Sequence, residues 1–514
     1  MIFNNIYNFF YQNIILKKTN IITIFGYYYL LNSLYYFIQK KLKTFNVKNL
    51  PYIKNKIDSE RANIIQSIKH DLDEENTNVA KYNEIPTIGI SQDSLVKIFD
   101  KIKNNTSYDY KNGNVSGSMY SKNEGLEQTI IKLFPYFHKS NPLHTNLFPS
   151  IRNMENELVT FMIKLFDGSK DTCGTFTSGG TESILLACKT YRDYGYSRGI
   201  ESPEIIASST AHCAFNKACK YFNIKLILLP CLYDGTIDLV ALKKSISKNT
   251  ILIVGSTPSY NLGIIDPIDN LSDIALKYNI PLHIDACIGA FLINFTEYKY
   301  NFSLKGVTSI SADYHKYGQS PKGASCIMYS DKKYMKHQYY IDVKWSGGVY
   351  ATSTVAGSRC GNIVALTWAT LMYTGKHGYL NNYCYIDTLR KHFIMKCNSI
   401  DELFIYGNPE LSIIAIGSDS ININILCDNL KKKKWSINVI QNPNGFHFCL
   451  TLYHTEKIIN KFIDDVKEIL EDLRNKQFEK FSPCIYGTIQ KVNNTGIIED
   501  VVVDYLNVVN NVNL

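Results

Sequence analysis

The chain has 514 residues, 45% hydrophobic and 20% charged, enough for a large core and two or three domains. Its formal charge of +9 comes from scattered lysines, not from a basic stripe interleaved with aromatics, which argues against nucleic-acid binding. The 13 cysteines are an odd number, with neither a C-x-x-C pair nor zinc-like Cys/His spacing; reduced thiols in a cytosolic domain are expected, not a disulfide framework or a metal site.

Residues 20–38 read NIITIFGYYYLLNSLYYFI, uncharged and about as long as a bilayer crossing requires. Lysines flank the segment on both sides, more heavily downstream, and its tyrosines suit the interfacial belt. A single-pass membrane anchor within residues 1–45 is expected, with the rest of the chain cytosolic. Residues 46–150 read as a linker and arm. They hold a helix near 91–103, a Gly-rich loop ending at Tyr120, a helix over 126–134 that Pro135 should stop, and the loop SNPLHTNLFPS.

From residue 151 to about 390, short apolar strands alternate with helical stretches. The strands are CGTFT, EIIASS, IKLILLP, TILIVGST, PLHIDA, VTSISAD and ASCIMYS. This alternation predicts an α/β domain with a mostly parallel sheet covered on both faces. A long helix should follow over 361–398. The pattern then changes, and LSIIAIGS and FHFCLTL predict a small α+β domain over 391–490, followed by a tail to 514. The run Lys431 to Lys434 reads as a solvated helix face.

SISADYHKYGQSPKG carries two lysines at the mouth of this sheet, Lys316 and Lys322. A lone lysine there is a surface cation, a phosphate ligand or a Schiff-base nucleophile. Its companions bear on the choice. Asp285 ends an apolar strand at the rim where α/β proteins bind ligands; it could ligate a metal, form a salt bridge or pair with a pyridinium nitrogen. In TSGGTES, Gly179 and Gly180 allow close backbone approach before a helix N-terminus that can hold a phosphate, and Thr181 adds a hydroxyl. His212 follows another strand, where a flat imidazole could stack on a ring or be structural. Anion cradle, ring cover, carboxylate and amine, in chain order, are the parts a pyridoxal phosphate site needs.

TSGGTESILLACK, IPLHIDACIGAF and VTSISADYHKYG resemble the group II decarboxylases among the fold-type-I pyridoxal phosphate enzymes. VSGSMY, NPLH, AHCAFNKA, STPSYNLGIIDPI, PKGAS and AGSR narrow the resemblance to the sphingosine-1-phosphate lyases, over about residues 80–490. The resemblance implies that Lys316 binds the cofactor covalently, Asp285 pairs with its ring nitrogen and His212 stacks on the ring. Gly180, Thr181 and His315 are implied near its phosphate. Tyr120, His144, Tyr260, Lys322 and Ser358 match substrate-binding positions, with Tyr120, Lys322 and His212 implied in catalysis beside Lys316. It also implies a homodimer with shared active sites, to which SGGVYAT after Trp345 would contribute, and an endoplasmic reticulum membrane location. Tyr314, Ala290 and Cys360 depart from the common pattern, none at a cofactor-contacting position.

The implied activity is a carbon–carbon lyase: retro-aldol cleavage of a phosphorylated sphingoid base to a fatty aldehyde and phosphoethanolamine. An amino-acid decarboxylase on the same fold is the alternative. A catalytically dead membrane scaffold would have no need of the Lys-Asp-His-Gly set.

Overall fold

A computed structural model of the chain describes residues 84–103, 108–475 and 495–510, with isolated positions between 59 and 82. The expected anchor at 20–38 lies outside the described residues. Among those residues, no helix is long and apolar enough to cross a membrane. The chain divides into two units, Tyr108–Gln490 and a second drawn from Met1–Ser107 and Lys491–Leu514. The second contains the helices Gln92–Ile102 and Thr495–Asn510; the first of these is capped by Ser91, whose side chain accepts from Ser94 N–H.

The larger unit is built on a seven-stranded sheet. In chain order its strands are β1 (Cys173–Thr177), β2 (Glu204–Ser208), β3 (Lys225–Leu229), β4 (Thr250–Ser256), β5 (Leu282–Asp285), β6 (Val307–Asp313) and β7 (Ser325–Tyr329). Their spatial order is β1-β7-β6-β5-β4-β2-β3. The pairs from β3 through β6 are parallel, whereas β7 runs antiparallel to both β1 and β6. Every residue of β2, β4, β5, β6 and β7 is buried, as a sheet covered on both faces requires. The reversed β7 was not foreseen, because a continuous apolar run carries no sign of strand direction.

Two further strands, β8 (Tyr340–Asp342) and β9 (Tyr350–Thr352), form an exposed ribbon. The helix Gly361–Cys397 follows, broken at Gly375, whose φ of 61° takes the backbone out of the helical region. A four-stranded antiparallel sheet then forms from β10 (Phe404–Ile405), β11 (Ile413–Gly417), β12 (Asn438–Ile440) and β13 (Gly445–Cys449), in the order β10-β11-β13-β12. The helix Glu456–Arg474 covers it through Phe462, which packs on Trp435 and Phe448.

Two local expectations need correction. Pro135 does not stop its helix, which runs Glu124–Phe137. A proline this near a helix end forfeits one hydrogen bond, and only two helical residues follow it. The run Lys431 to Lys434 is not one helix face: the helix ends at Lys432, Lys433 reaches Asp465 and Glu468, and Lys434 has a φ of 65°. Twelve cysteines lie among the described residues, and all are free thiols.

Candidate active site

The chain leaves the C-terminal ends of β1, β2, β4, β5 and β6 on one edge of the sheet. The segments that follow these ends line a cavity of about 350 Å³. β1 delivers Ser178, Gly179, Gly180 and Thr181; β2 is followed by His212 and β4 by Pro258 and Tyr260. β5 ends in Asp285, with Cys287 just after it, and β6 in Asp313, followed by His315 and Lys316. This is the rim where open α/β sheets bind their ligands.

Lys316 sits in a tight turn. Gly318 closes it, because a Cβ there would run into the Tyr314 carbonyl and Phe291. The mostly buried Lys316 Nζ lies 2.9 Å from Asp313 Oδ2. Burial alone would lower the Lys316 ammonium; Asp313, ahead of Cys287 and Tyr120, outweighs it and holds the group above the ordinary lysine range. Burial likewise pushes the Asp313 carboxyl up, but Lys316 and His315 more than offset this and hold it low. Asp313 Oδ1 is buried and has no hydrogen-bond partner among the described residues.

Asp313 is the site residue that sequence reasoning missed. A signal was present: an aspartate at a strand end, three residues before the candidate nucleophile. Tyr314, which departs from the common pattern, is a packing residue, stacked on Phe176 with its hydroxyl donating to the Leu158 carbonyl.

His315 Nδ1 accepts from Ala324 N–H at 3.0 Å, so the neutral ring carries its proton on Nε2, which lies 3.6 Å from Asp313 Oδ2. Burial, with Lys322 and Lys316 nearby, lowers its basicity despite Asp313. His212 Nδ1 likewise accepts from Ala214 N–H at 3.1 Å, which leaves its N–H on Nε2.

The helix Gly180–Ser197 has no side chain capping its N-terminus. Its first-turn amides therefore remain for an anion. A Cβ on Gly180 would meet Cys287 Sγ at 2.8 Å and both Asp313 oxygens at 3.0 Å, so only glycine fits this cradle. Glu182 ties the cradle together: its carboxylate accepts from Ser178 N–H at 2.7 Å and Val355 N–H at 2.8 Å.

Asp285 lines the cavity. Oδ1 accepts from Cys287 N–H at 3.1 Å and from the Ser311 hydroxyl at 3.4 Å, while Oδ2 has no donor among the described residues. A cradle lacking a cap, a lysine amine and a carboxylate oxygen without a donor fit pyridoxal phosphate.

The substrate positions divide. Tyr260 lines the cavity, edge-on to His212 and to the buried His447. Lys322 and Tyr120 lie together beside the Lys316 turn: the Lys322 ammonium is 4.7 Å from the centre of the Tyr120 ring and donates to the His315 carbonyl at 3.3 Å. Tyr120 gets there because its segment follows β13, with Gly117 N–H donating to the Cys449 carbonyl at 2.9 Å and Ser116 Oγ accepting from Cys449 N–H at 2.8 Å. Burial raises the Tyr120 phenol, which stays neutral. His144 and Ser358 do not line this cavity. Both are exposed; Asn141 Nδ2 donates to Ser358 Oγ at 3.1 Å, and the Asn141 carbonyl accepts from His144 N–H at 3.1 Å.

Comparison with known proteins gives the same reading. The pyridoxal-dependent decarboxylase conserved domain matches residues 139–416. Sphingosine-1-phosphate lyase 1 of Rattus norvegicus is 38% identical over 456 residues, covering 86% of this chain and 80% of its own length. The Saccharomyces cerevisiae sphingosine-1-phosphate lyase is 38% identical over 476 residues, covering 89% and 80%. The chain belongs to the sphingosine-1-phosphate lyase family.

A solved family structure, the Burkholderia pseudomallei sphingosine-1-phosphate lyase, matches with a TM-score of 0.75 and 31% identity, over 78% of this chain and 95% of that one. Membership makes this chain a pyridoxal phosphate-dependent lyase.

Proposed function

We propose that this protein cleaves phosphorylated sphingoid bases between C2 and C3, yielding a fatty aldehyde and phosphoethanolamine. The observation that carries this reading is the pairing of Lys322 and Tyr120 beside the cavity that holds Lys316. A cation set next to the amine-capturing lysine suits a substrate with a phosphate a few atoms from its amino group. When bound, the cofactor supplies an aldehyde for the amine and a ring that accepts the electron pair of the breaking bond.

The side chains divide the remaining work. Lys316 would hold the cofactor through its amine. Asp285 would pair with the ring nitrogen, and His212 would lie against the ring. The cradle at Gly180 and Thr181, with His315, would hold the cofactor phosphate. Lys322 holds the substrate phosphate, Tyr260 borders its path, and Tyr120 offers a neutral phenol as a hydrogen-bond donor. The Lys316 amine, 2.9 Å from Asp313 Oδ2, would hold a proton there for the substrate carbon.

The reading extends to assembly and location. The uncharged stretch 20–38 anchors the protein in the endoplasmic reticulum membrane, single-pass, with the catalytic unit cytosolic; the support is its length and flanking lysines. The protein works as a homodimer with shared sites. Support comes from the exposed apolar side chains around the β8–β9 ribbon, Ile341, Val343, Trp345 and Val349, and from His144 and Ser358, which are exposed and outside the protomer's own cavity.

Product analysis with a phosphorylated sphingoid base tests the activity. Fatty aldehyde with phosphoethanolamine is the expected outcome. Carbon dioxide released from an amino acid, with no aldehyde from the phosphorylated base, would replace the lyase by a decarboxylase.

A further inference from the structure

His283 lies on β5, two residues before Asp285, and the register sets His283 opposite Ser309 and Asp285 opposite Ser311 on β6. Because side chains alternate along a strand, these four residues share one face of the sheet. The imidazole bridges the two hydroxyls: Nδ1 lies 2.8 Å from Ser309 Oγ and Nε2 lies 3.2 Å from Ser311 Oγ. Ser311 Oγ in turn lies 3.4 Å from Asp285 Oδ1, with Cys287 Sγ 3.3 Å away. His283 is fully buried, edge-on to Phe215. Burial, outweighing the nearby Asp285, lowers it to about 4, so the ring is neutral.

A neutral imidazole has one N–H and one lone pair, and Ser311 has one proton. If His283 carries its proton on Nε2, it donates to Ser311, and the Ser311 hydroxyl is free to donate to Asp285. Ser309 then donates to Nδ1. With the proton on Nδ1, Ser311 must spend its hydrogen on Nε2, and Asp285 Oδ1 faces a lone pair. Only the first arrangement points every donor toward the carboxylate, and chains aligned in this way reinforce each other.

We infer that His283 is a positioning residue for Asp285: as the Nε2–H tautomer it turns the Ser311 hydroxyl onto Oδ1 and so leaves Oδ2 for the cofactor ring. The inference rests on Asp285 being the partner of that ring. It takes no part in bond making, and its effect passes through Ser311.

The test uses four variants: His283→Gln, His283→Asn, Ser311→Ala and Asp285→Asn. Glutamine places an amide N–H near the Nε2 position, and asparagine places one near Nδ1. Each purified protein is titrated with pyridoxal 5′-phosphate, and the dissociation constant and visible band of the bound cofactor are recorded, with thermal unfolding of the cofactor-free protein alongside.

His283→Gln should bind the cofactor nearly as wild type, with the wild-type band. His283→Asn and Ser311→Ala should each weaken binding about tenfold, the scale of a lost outer hydrogen-bond partner, and alter the band. Two results would overturn the relay: glutamine and asparagine variants that behave alike, or affinity losses that simply follow the losses in thermal stability. An Asp285→Asn protein with unchanged affinity and band would instead remove the premise that Asp285 is the ring's partner.

Discussion

The Lys316 ammonium lies 2.9 Å from the Asp313 carboxylate, which is 1% exposed, so in the cofactor-free protein the nucleophile is held as a buried ion pair. Breaking such a pair from one side costs about 3–5 kcal/mol, because the remaining charge is left unmatched. Lys316→Ala should therefore abolish turnover and also destabilise the cofactor-free protein by about that amount. Adding Asp313→Asn to Lys316→Ala should recover most of the stability and none of the activity. Equal stability of the single and double variants would show that the pair carries no such energy.

Covalent attachment is checked separately. Borohydride should fix the cofactor's mass on the peptide containing Lys316. Labelling of Lys322 would overturn the assignment.

The same ion pair sets a pH dependence. Asp313 holds the Lys316 ammonium above the ordinary lysine range. Free amine, the form that attacks the aldehyde, is therefore scarce at neutral pH. Cofactor capture by the wild-type protein should go on accelerating as pH rises through the ordinary lysine value of about 10.4. In Asp313→Asn, burial acts without the carboxylate, and the rise should level off at lower pH. Superimposed rate–pH profiles would show that Asp313 does not control the amine.

Asp285→Asn should keep the fold and cripple catalysis. An uncharged amide cannot hold the ring nitrogen protonated as a carboxylate does. Steady-state turnover and the circular dichroism spectrum check the two halves. A substantial retained rate would mean that another group pairs with the ring.

Lys322 should act on the substrate phosphate. Lys322→Ala should raise KM for the phosphorylated substrate while leaving the visible band of the bound cofactor in place. Partial burial and the Lys316 charge lower the Lys322 ammonium below the ordinary lysine range. The cation is lost as pH rises through that lowered value. Wild-type KM should therefore climb on the alkaline side, and that of Lys322→Ala should stay flat. A collapsed cofactor band with unchanged KM would assign Lys322 to the cofactor instead.

Removing residues 1 to about 45 should release a soluble dimer that still cleaves detergent-dispersed substrate; the number is set by the end of the bilayer-length segment. Alkaline carbonate should fail to strip the full-length protein from membranes. Stripping would show that 20–38 does not span, and lost activity on dispersed substrate after truncation would show that it does more than anchor.

The sequence alone determined the parts that depend on short-range geometry. Each β-strand followed by a turn is a local unit, so Lys316, Asp285, His212 and the Gly179–Thr181 loop could be placed at strand ends from apolar runs and glycines. The family could be read from their order. Asp313 is the exception on the local side: it stands three residues before Lys316, so their pairing is short-range and its signal was in the sequence. Tertiary structure decided what crosses between units. His283, Ser311 and Asp285 form a chain only through the β5–β6 register, which no single strand specifies. The direction of β7 was open, because a strand buried on both faces has the same pattern read either way. Tyr120 and Lys322 meet because the Tyr120 segment pairs with β13, far along the chain. His144 and Ser358 share the family's motifs with the other site residues, yet neither lines the Lys316 cavity of the protomer, since a motif's chemistry does not specify the path of the backbone that bears it.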